Sequence, residues 1–409
     1  MEKKMKYDIA VIGAGPAGTA AACAARRYGA RVLLIERDGV PGGMATSGMI
    51  NNFCGEADSK FFRRVLERAE PRRKEGRKLF SPEKMKDILI SEIVNSGADL
   101  LLHSLVVGID ASEGIVKSIS VASKMGLIEV SADQFIDATG DGDLAFYAGV
   151  PFDVGREGDS LMQPLTLEFL VGGVDTERAL FRSAKNDPAI KDAMEKALAD
   201  GSVPFPIKTV CLLDGDTEGT AFVSMTNSVM KDGTDSFDLT KAELECRSQI
   251  PSIISFLRKN VPGYENCYVI TTASYAGVRE TRRFRGLYTL TEDDILSERV
   301  FEDRITNKVA FSFDVHDPSG VNATSSAPRY SGESYTIPYR SIVPTGMKNL
   351  LLSGRCISGN HLALSSYRVM PICMAIGEGA GLCASEAVKR GAFACELDAE
   401  AIKAVQSAL

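Results

Sequence analysis

Only three histidines, His103, His316 and His361, occur in the 409 residues. One segment, Tyr275–Gly286 (YAGVRETRRFRG), gathers Arg279, Arg282, Arg283 and Arg285 around a single acid, Glu280. Histidine is the side chain best suited to moving a proton near neutral pH. Guanidinium groups bind carboxylates in a fork geometry. The pair of features points to chemistry on a small anionic organic molecule, with Arg279 and Arg283 as its anchors. Those two are two alternations apart and share a face if the segment stays extended. The other reading of the arginines is an ion-pair network between domains, or contacts to a cofactor. His316 lies in FDVHDP and His361 just before a helical run, and both are candidate proton carriers. His103 falls within a strand-like meander and reads as structural.

A second group of residues could hold a phosphate. Gly13-Ala14-Gly15-Pro16-Ala17-Gly18 fits G-x-G-x-x-G, follows an apolar run and opens an Ala-rich stretch. Glu36 closes the next apolar run, 21 residues after Gly15. That context is the dinucleotide-binding fingerprint. Gly13 permits the tight turn, Gly15 lets a pyrophosphate approach the backbone, and Gly18 lets helix and strand pack closely. Free N–H groups at the helix start meet the phosphate charge. Glu36 accepts hydrogen bonds from ribose hydroxyls and repels a 2′-phosphate, so NADP is disfavoured. The spacing does not separate NAD from FAD.

These residues need elements to position them. Tyr7–Gly13, Pro16–Tyr28 and Arg31–Glu36 read as strand, helix and strand, one β-α-β unit. A glycine-rich loop, Gly39–Gly48, follows. Pro82–Ser96 has helical spacing, with Met85, Ile88, Leu89 and Ile93 on one face. Apolar runs from Asp99 to Val130 alternate with turns at Ser112–Gly114 and Lys124–Gly126, a small β-meander. Gln134–Gly140 reads as a further strand. The middle of the chain mixes helical stretches (Glu177–Asp200 and Lys241–Asn260) with strands such as Cys267–Ala276. Asn349–Gly354 is again a buried strand, and a helix runs from Pro371 to near Gly391. The expected fold class is α/β: a Rossmann-like domain of parallel sheet plus meander, formed by 1–150 and 335–395, with an inserted α+β substrate domain at 151–334 and a tail at 396–409.

Composition narrows the function. Apolar residues make up 44% and charged residues 25%, an ordinary globular balance. Lys plus Arg is 47 and Asp plus Glu 54, a net charge of −7, which disfavours nucleic acid and anionic membranes as partners. Nine scattered cysteines contain no C-x-x-C pair, so a zinc ribbon or iron–sulfur cluster is not expected and free thiols in a reducing compartment are. The basic, apolar amino terminus resembles a secretory signal, but Asp8 and the glycines at 13, 15 and 18 break it. No stretch reaches the length of a membrane-spanning helix. The expectation is a soluble, cytoplasmic protein with no integral membrane segment.

Three further segments carry a resemblance: Gly42-Gly43-Met44-Ala45-Thr46, Ile136-Asp137-Ala138-Thr139-Gly140-Asp141-Gly142-Asp143, and NLLLSGRCISGNHLALSSYRVMPICMAIGEGAG from Asn349 to Gly381. With the fingerprint and RETRR, they resemble the FAD-dependent oxidoreductases with a glutathione-reductase-like, two-dinucleotide-binding-domain fold, in the branch carrying RETRR and GR…RVMP. The resemblance covers nearly all of residues 5–392. It implies bound FAD, with Gly13, Gly15, Pro16, Ala17 and Gly18 at the pyrophosphate and Glu36 and Arg37 flanking the adenosine. It implies that Val106 presents its backbone to adenine and that Thr139, Gly140 and Asp141 close over the cofactor. Gly43, Met44 and Ala45 would run towards the flavin ring. Gly354 and Arg355 would meet ribitol and phosphates, although relatives carry an acid after that glycine. Arg368 and Met370 would border the ring at the positive start of the last long helix, with His361 and His316 nearby. No histidine occurs from Gly39 to Glu70, so a histidyl link there is unavailable and FAD is expected to be non-covalent. Cys54 lies in the same loop, as a redox group or a structural thiol. The expected activity is hydride exchange between flavin N5 and a small, anionic substrate, with an unidentified electron donor or acceptor as partner. The alternatives are an NAD-dependent dehydrogenase and a flavin-binding electron-relay subunit of a larger complex.

Overall fold

The computed structural model describes residues 3–207, 209–320 and 334–409. Residues 208 and 321–333 of the expected insert lie outside them. Strand β1 (Lys3–Ile12) leads through helix α1 (Pro16–Arg27) to strand β2 (Val32–Ile35), every residue of which is buried. Helix α2 (Pro82–Ser96) buries Met85, Ile88, Leu89 and Ile93. Ser81 caps its start and Gly97, in the left-handed region at φ 82°, ends it. Strands β3 (Asp99–Leu101), β4 (Leu105–Ser112), β5 (Ile115–Ser123) and β6 (Gly126–Asp137) follow.

The main sheet runs β3-β2-β1-β6 with parallel pairing. The last strand of the meander and the returning strand, expected as separate elements, are one strand, β6. β6 pairs antiparallel with β5 over Gly126–Val130 and parallel with β1 from Ile128 to Asp137. Its early half gives Lys3–Lys6 a ladder to join, so β1 starts before Tyr7.

The middle of the chain builds a second, antiparallel sheet. Its strands β7 (Phe169–Gly172), β8 (Leu212–Asp214), β9 (Ala221–Val223) and β10 (Tyr268–Thr272) lie in the order β8-β9-β7-β10. Helices α3 (Pro188–Ala199) and α4 (Ser236–Asn260) cover it, and Phe169, Leu212, Ile253 and Leu257 belong to its own apolar core. α3 begins later than residue 177 because Pro188 fits only a first turn, and Asp187 caps it by accepting from the Ile190 N–H at 3.1 Å. α4 begins earlier than Lys241, at the Asp235 cap. Phe284, Leu290, Ile295, Phe301, Ile305 and Val309 pack instead into the core around β1 and α1.

The chain then returns to the first sheet. Strand β11 (Leu350–Leu352) pairs parallel with Phe135–Asp137. Helix α5 (His361–Tyr367) leads to α6 (Met370–Arg390), which lies along α1. A Cβ on Gly377 would sit 2.0 Å from the Ala17 carbonyl oxygen, and one on Gly381 would sit 2.2 Å from that of Ala21. Two bare backbones therefore touch. The final helix α7 (Ala399–Ala408) buries Ala401, Ile402 and Val405 in the same core. Among the described residues no helix is long and apolar enough to cross a membrane.

Candidate cofactor and substrate site

β1, β2, β6 and β11 end level with one another, through the pairs Ile12–Ile35, Ile12–Asp137 and Asp137–Leu352. The loops that leave this edge carry Gly13–Gly15, Glu36–Asp38, Ala138–Asp141 and Ser353–Arg355. The crevice beyond the carboxyl ends of such a sheet, where strand order reverses, is where ligands bind. The fingerprint glycines differ sharply there. A Cβ on Gly13 (φ 90°) would strike the Ala138 carbonyl oxygen at 2.6 Å, and one on Gly18 would strike the Gly13 carbonyl oxygen at 1.8 Å. A Cβ on Gly15 would meet nothing within 4 Å. α1 starts beside it without a side-chain cap and without an acid in its first turn. Unpaired N–H groups, the positive end of the helix dipole and open space thus coincide, which fits a dinucleotide pyrophosphate.

The other expected cofactor residues surround this point. Glu36 accepts from the backbone N–H of Ala14 (2.6 Å) and of Asp38 (2.9 Å). Burial pushes its carboxyl up, and those bonds pull it back. Arg37 lies over the Tyr275 ring, 5.5 Å from its centre. Gly42 donates to the Ala14 carbonyl at 2.7 Å, which brings the turn Gly43–Ala45 against the phosphate loop. Met44 reaches on to Gly277, where a Cβ would meet its methyl at 2.6 Å. Val106 is buried on β4, two residues after Ser104, which donates to the Glu36 carbonyl at 2.9 Å. Buried Asp137 anchors the next loop, accepting from Thr139 Oγ1 (2.7 Å) and the Ala145 N–H (2.8 Å); burial pushes its carboxyl up to about 6. Gly354 faces Ala17, and Arg355 donates to the carbonyls of Gly140 (3.0 Å) and Val278 (2.7 Å) and pairs with Asp141.

The arginine-rich segment is a seam, and its two expected anchors part company. Only Arg282–Phe284 is a strand. Arg279 donates to the Pro164 carbonyl and, at 2.8 Å, to Thr166 Oγ1. Arg283 donates to the carbonyls of Gly359 (3.1 Å) and Gly155 (2.8 Å) and pairs with Glu280. Glu280 has no accessible side-chain surface and lies 2.8 Å from His361 Nδ1. Arg283, Glu280 and His361 therefore form one buried chain of contacts. Thr281 donates to Asp141 at 2.7 Å, and Arg282 pairs with Asp143 at 3.1 Å.

Arg279 belongs to a different group, around His316. The His316 backbone N–H donates to Gln163 Oε1 at 3.1 Å, and its ring Nε2 lies 3.5 Å from Asp314 Oδ1. Arg368 donates to the Asp314 carbonyl at 2.8 Å and pairs with its carboxylate at 3.3 Å. Burial, with Arg279 beside it, holds His316 down to about 4, so its ring is neutral at pH 7. Burial lowers Arg279 to about 10, helped by Arg368. Burial raises Glu168 to about 7 against a hydrogen bond from Ser224 and the charge of Arg279. His316 and Asp314 nevertheless keep 34% and 40% of their side-chain surface accessible. Groups this deep that still touch solvent line a cleft. Cys54 opens on it too: its thiol donates to Asn52 Oδ1 at 2.8 Å, Arg77 lies 3.0 Å from the sulfur, and burial pushes the thiol up. Of the residues the sequence reading passed over, Asp314 had a visible signal, alternate spacing to His316; Glu168 and Arg77 had none.

Comparison with known proteins gives the same direction. Digeranylgeranylglycerophospholipid reductase of Thermoplasma volcanium is 26% identical over 166 residues, 35% of this chain and 42% of that protein. Thioredoxin reductase of Ureaplasma parvum is 43% identical over 49 residues, 12% of this chain and 16% of that protein. The chain thus spans less than half the length of these curated relatives. Among solved structures, a geranylgeranyl bacteriochlorophyll reductase-like protein from Thermoplasma acidophilum superposes with a TM-score of 0.50 at 15% identity, covering 99% of this chain and 83% of the other. The p-nitrophenol 4-monooxygenase of Pseudomonas putida gives 0.50 at 11% identity, covering 98% and 84%. These two likenesses establish the fold. The family model described as FAD dependent oxidoreductase matches residues 8–409, so the dinucleotide left open by the fingerprint is FAD and the chain belongs to the FAD-dependent oxidoreductase family.

Proposed function

We propose that the chain exchanges a hydride between N5 of non-covalently held FAD and a small organic acid bound in the cleft around His316 and Arg279. Bound FAD supplies the acceptor or donor of the electron pair; the protein positions, shields and moves protons. In this reading Gly13, Gly15, Pro16, Ala17 and Gly18 hold the pyrophosphate and Glu36 the ribose. Arg37 and the backbone of Val106 border the adenosine. Gly43–Ala45, Thr139–Asp141, Gly354, Arg355 and Met370 enclose the remainder, in a glutathione-reductase-like arrangement formed by 1–150 and 335–395. The substrate part lies within 151–334.

The observation that carries the reading is the bare direction at Gly15, flanked by two glycines whose own Cβ positions are filled. Val278 links that edge to the cleft: its carbonyl holds Arg355, and the next residue is Arg279. Arg279 and Arg368 orient the acid. Neutral His316 accepts or returns the proton at an imidazole nitrogen. The partners of Arg283 favour a positioning role, holding Glu280 and through it the ring of His361. The test is the visible spectrum of the purified protein, followed by an anaerobic screen of small carboxylic acids for bleaching of its flavin bands. Bleaching by an acid is the expected result. A preparation that stays colourless after incubation with FAD would overturn the cofactor assignment, and flavin bands that no acid bleaches would overturn the substrate assignment.

A further inference from the structure

The cleft carries more positive charge than it has counter-ions for. Arg279 makes its hydrogen bonds to neutral oxygens only. Among the described residues, the Arg77 guanidinium has the Cys54 sulfur as its one hydrogen-bond partner. Lys185, half-buried on the 3-10 turn Arg182–Asn186, has no carboxylate at ion-pair distance among the described residues, and neither do Arg77 and Arg279. Two acids are near: Asp314, already shared by Arg368 and His316, and Glu168, which faces Arg279 and whose carboxyl burial pushes up to about 7, so the four cations still outnumber them. Three donors around the same space are buried without a partner: Nε of Arg77, Nε of Arg368 and Nε2 of Gln163. A native interior rarely leaves charged donors in that state, because each forfeits its hydration without replacement. A bound anion would supply what is missing through charge-assisted bonds.

The cations come from two sets of elements: one pole has Arg368 and His316 at Asp314, and the other has Arg77, which lines a small hollow with Arg182 of the turn that carries Lys185. Arg279 and Arg368 act on one another and on His316. Lys185 is acted on by Arg182 and Arg77. Cys211 feels charges from both groups, and Asp314 acts on Lys185 as well as on Arg279. We propose that the cleft binds an organic dianion end to end, a short dicarboxylate with one carboxylate at Arg279 and Arg368 and the other at Arg77 and Lys185. The inference rests on the proposed function in taking the same cleft as the substrate site. It adds Arg77 and Lys185 as binding residues and a second anionic group as a requirement. A single carboxylate satisfies one pole and leaves the other uncompensated.

Calorimetric titration of the full chain, with and without prior FAD loading, tests this with succinate, glutarate and adipate as probes. Butyrate and dimethyl succinate are the controls. One of the dicarboxylates should bind more tightly than butyrate by on the order of tenfold or more, the value of one added charge-assisted contact. Lys185→Gln and Arg77→Gln should remove that advantage and leave butyrate affinity within about twofold, since an unaltered pole still holds it. Lys185 is partly exposed, so its variant keeps the fold even where a variant of a buried arginine does not. Equal binding of butyrate and all three dicarboxylates, or a preference that survives Lys185→Gln, would overturn the inference. Failure here with flavin bands present leaves the FAD reading standing, and dicarboxylate binding by a protein that takes up no FAD does the reverse.

Discussion

Glu280 is bonded on both sides within the protein, to Arg283 and to His361, and is sealed from water. Glu280→Gln keeps its shape and removes its charge. Arg283 is then buried and unpaired, a loss of about 3–5 kcal/mol of stability. Urea unfolding measures it, and Glu280→Gln combined with Arg283→Met should recover part of the loss; a single variant as stable as the wild type would contradict the buried pairing. Glu168 makes a pH-dependent prediction. Ser224, Arg279 and Cys211 face it, and burial pushes its carboxyl to about 7. Below that pH it is neutral and leaves the charge of Arg279 free; above it, its carboxylate competes with a bound acid for the same guanidinium. Affinity for organic acids should therefore fall as pH rises from about 6 to about 8. Glu168→Gln should flatten that dependence, and an unchanged slope in the variant would assign it to another group.

Three glycines separate folding from cofactor binding at the scale of the helix. Gly15→Ala adds a methyl to open space at an ordinary φ of −64°, so the apo protein should unfold at the wild-type temperature or slightly above it. The same methyl occupies the phosphate's approach, and FAD affinity should drop by about tenfold or more, as read by equilibrium dialysis. Gly377→Ala and Gly381→Ala instead force α6 off the backbone of α1, at a cost of about 1–3 kcal/mol each. Destabilisation by Gly15→Ala together with unchanged FAD affinity would contradict the phosphate assignment. The elements nearest these glycines were legible in the sequence because their signals are local. α2 has its apolar face and caps within one window, and the β1–α1–β2 unit is spelled by adjacent runs. α3 reads too early, since the helical spacing from Glu177 outweighs the cap Asp187 and the first-turn proline Pro188 that mark its start. β6 was not legible as one strand: its change of partner from β5 to β1 depends on residues over a hundred positions away.

Among the described residues the molecule has two large cores, one around the parallel sheet and one around the antiparallel sheet, and a smaller cluster around Leu165, Leu167 and Ala276 next to the Arg279 seam, where the cleft opens. That arrangement explains why the loops gathered at the sheet edge were readable in advance and the cleft was not. The edge is built by four loops, each with its own motif. The cleft collects Arg77, Glu168, Lys185, Arg279, Asp314 and Arg368 from separate stretches, and only folding tells Arg279 from Arg283. A crystal structure of the FAD-loaded protein tests the whole arrangement most directly. The pyrophosphate should lie against Gly15 and the uncapped start of α1, with the flavin ring turned towards His316 and Arg279. FAD bound away from that helix start, or with its ring turned away from the cleft, would contradict the account.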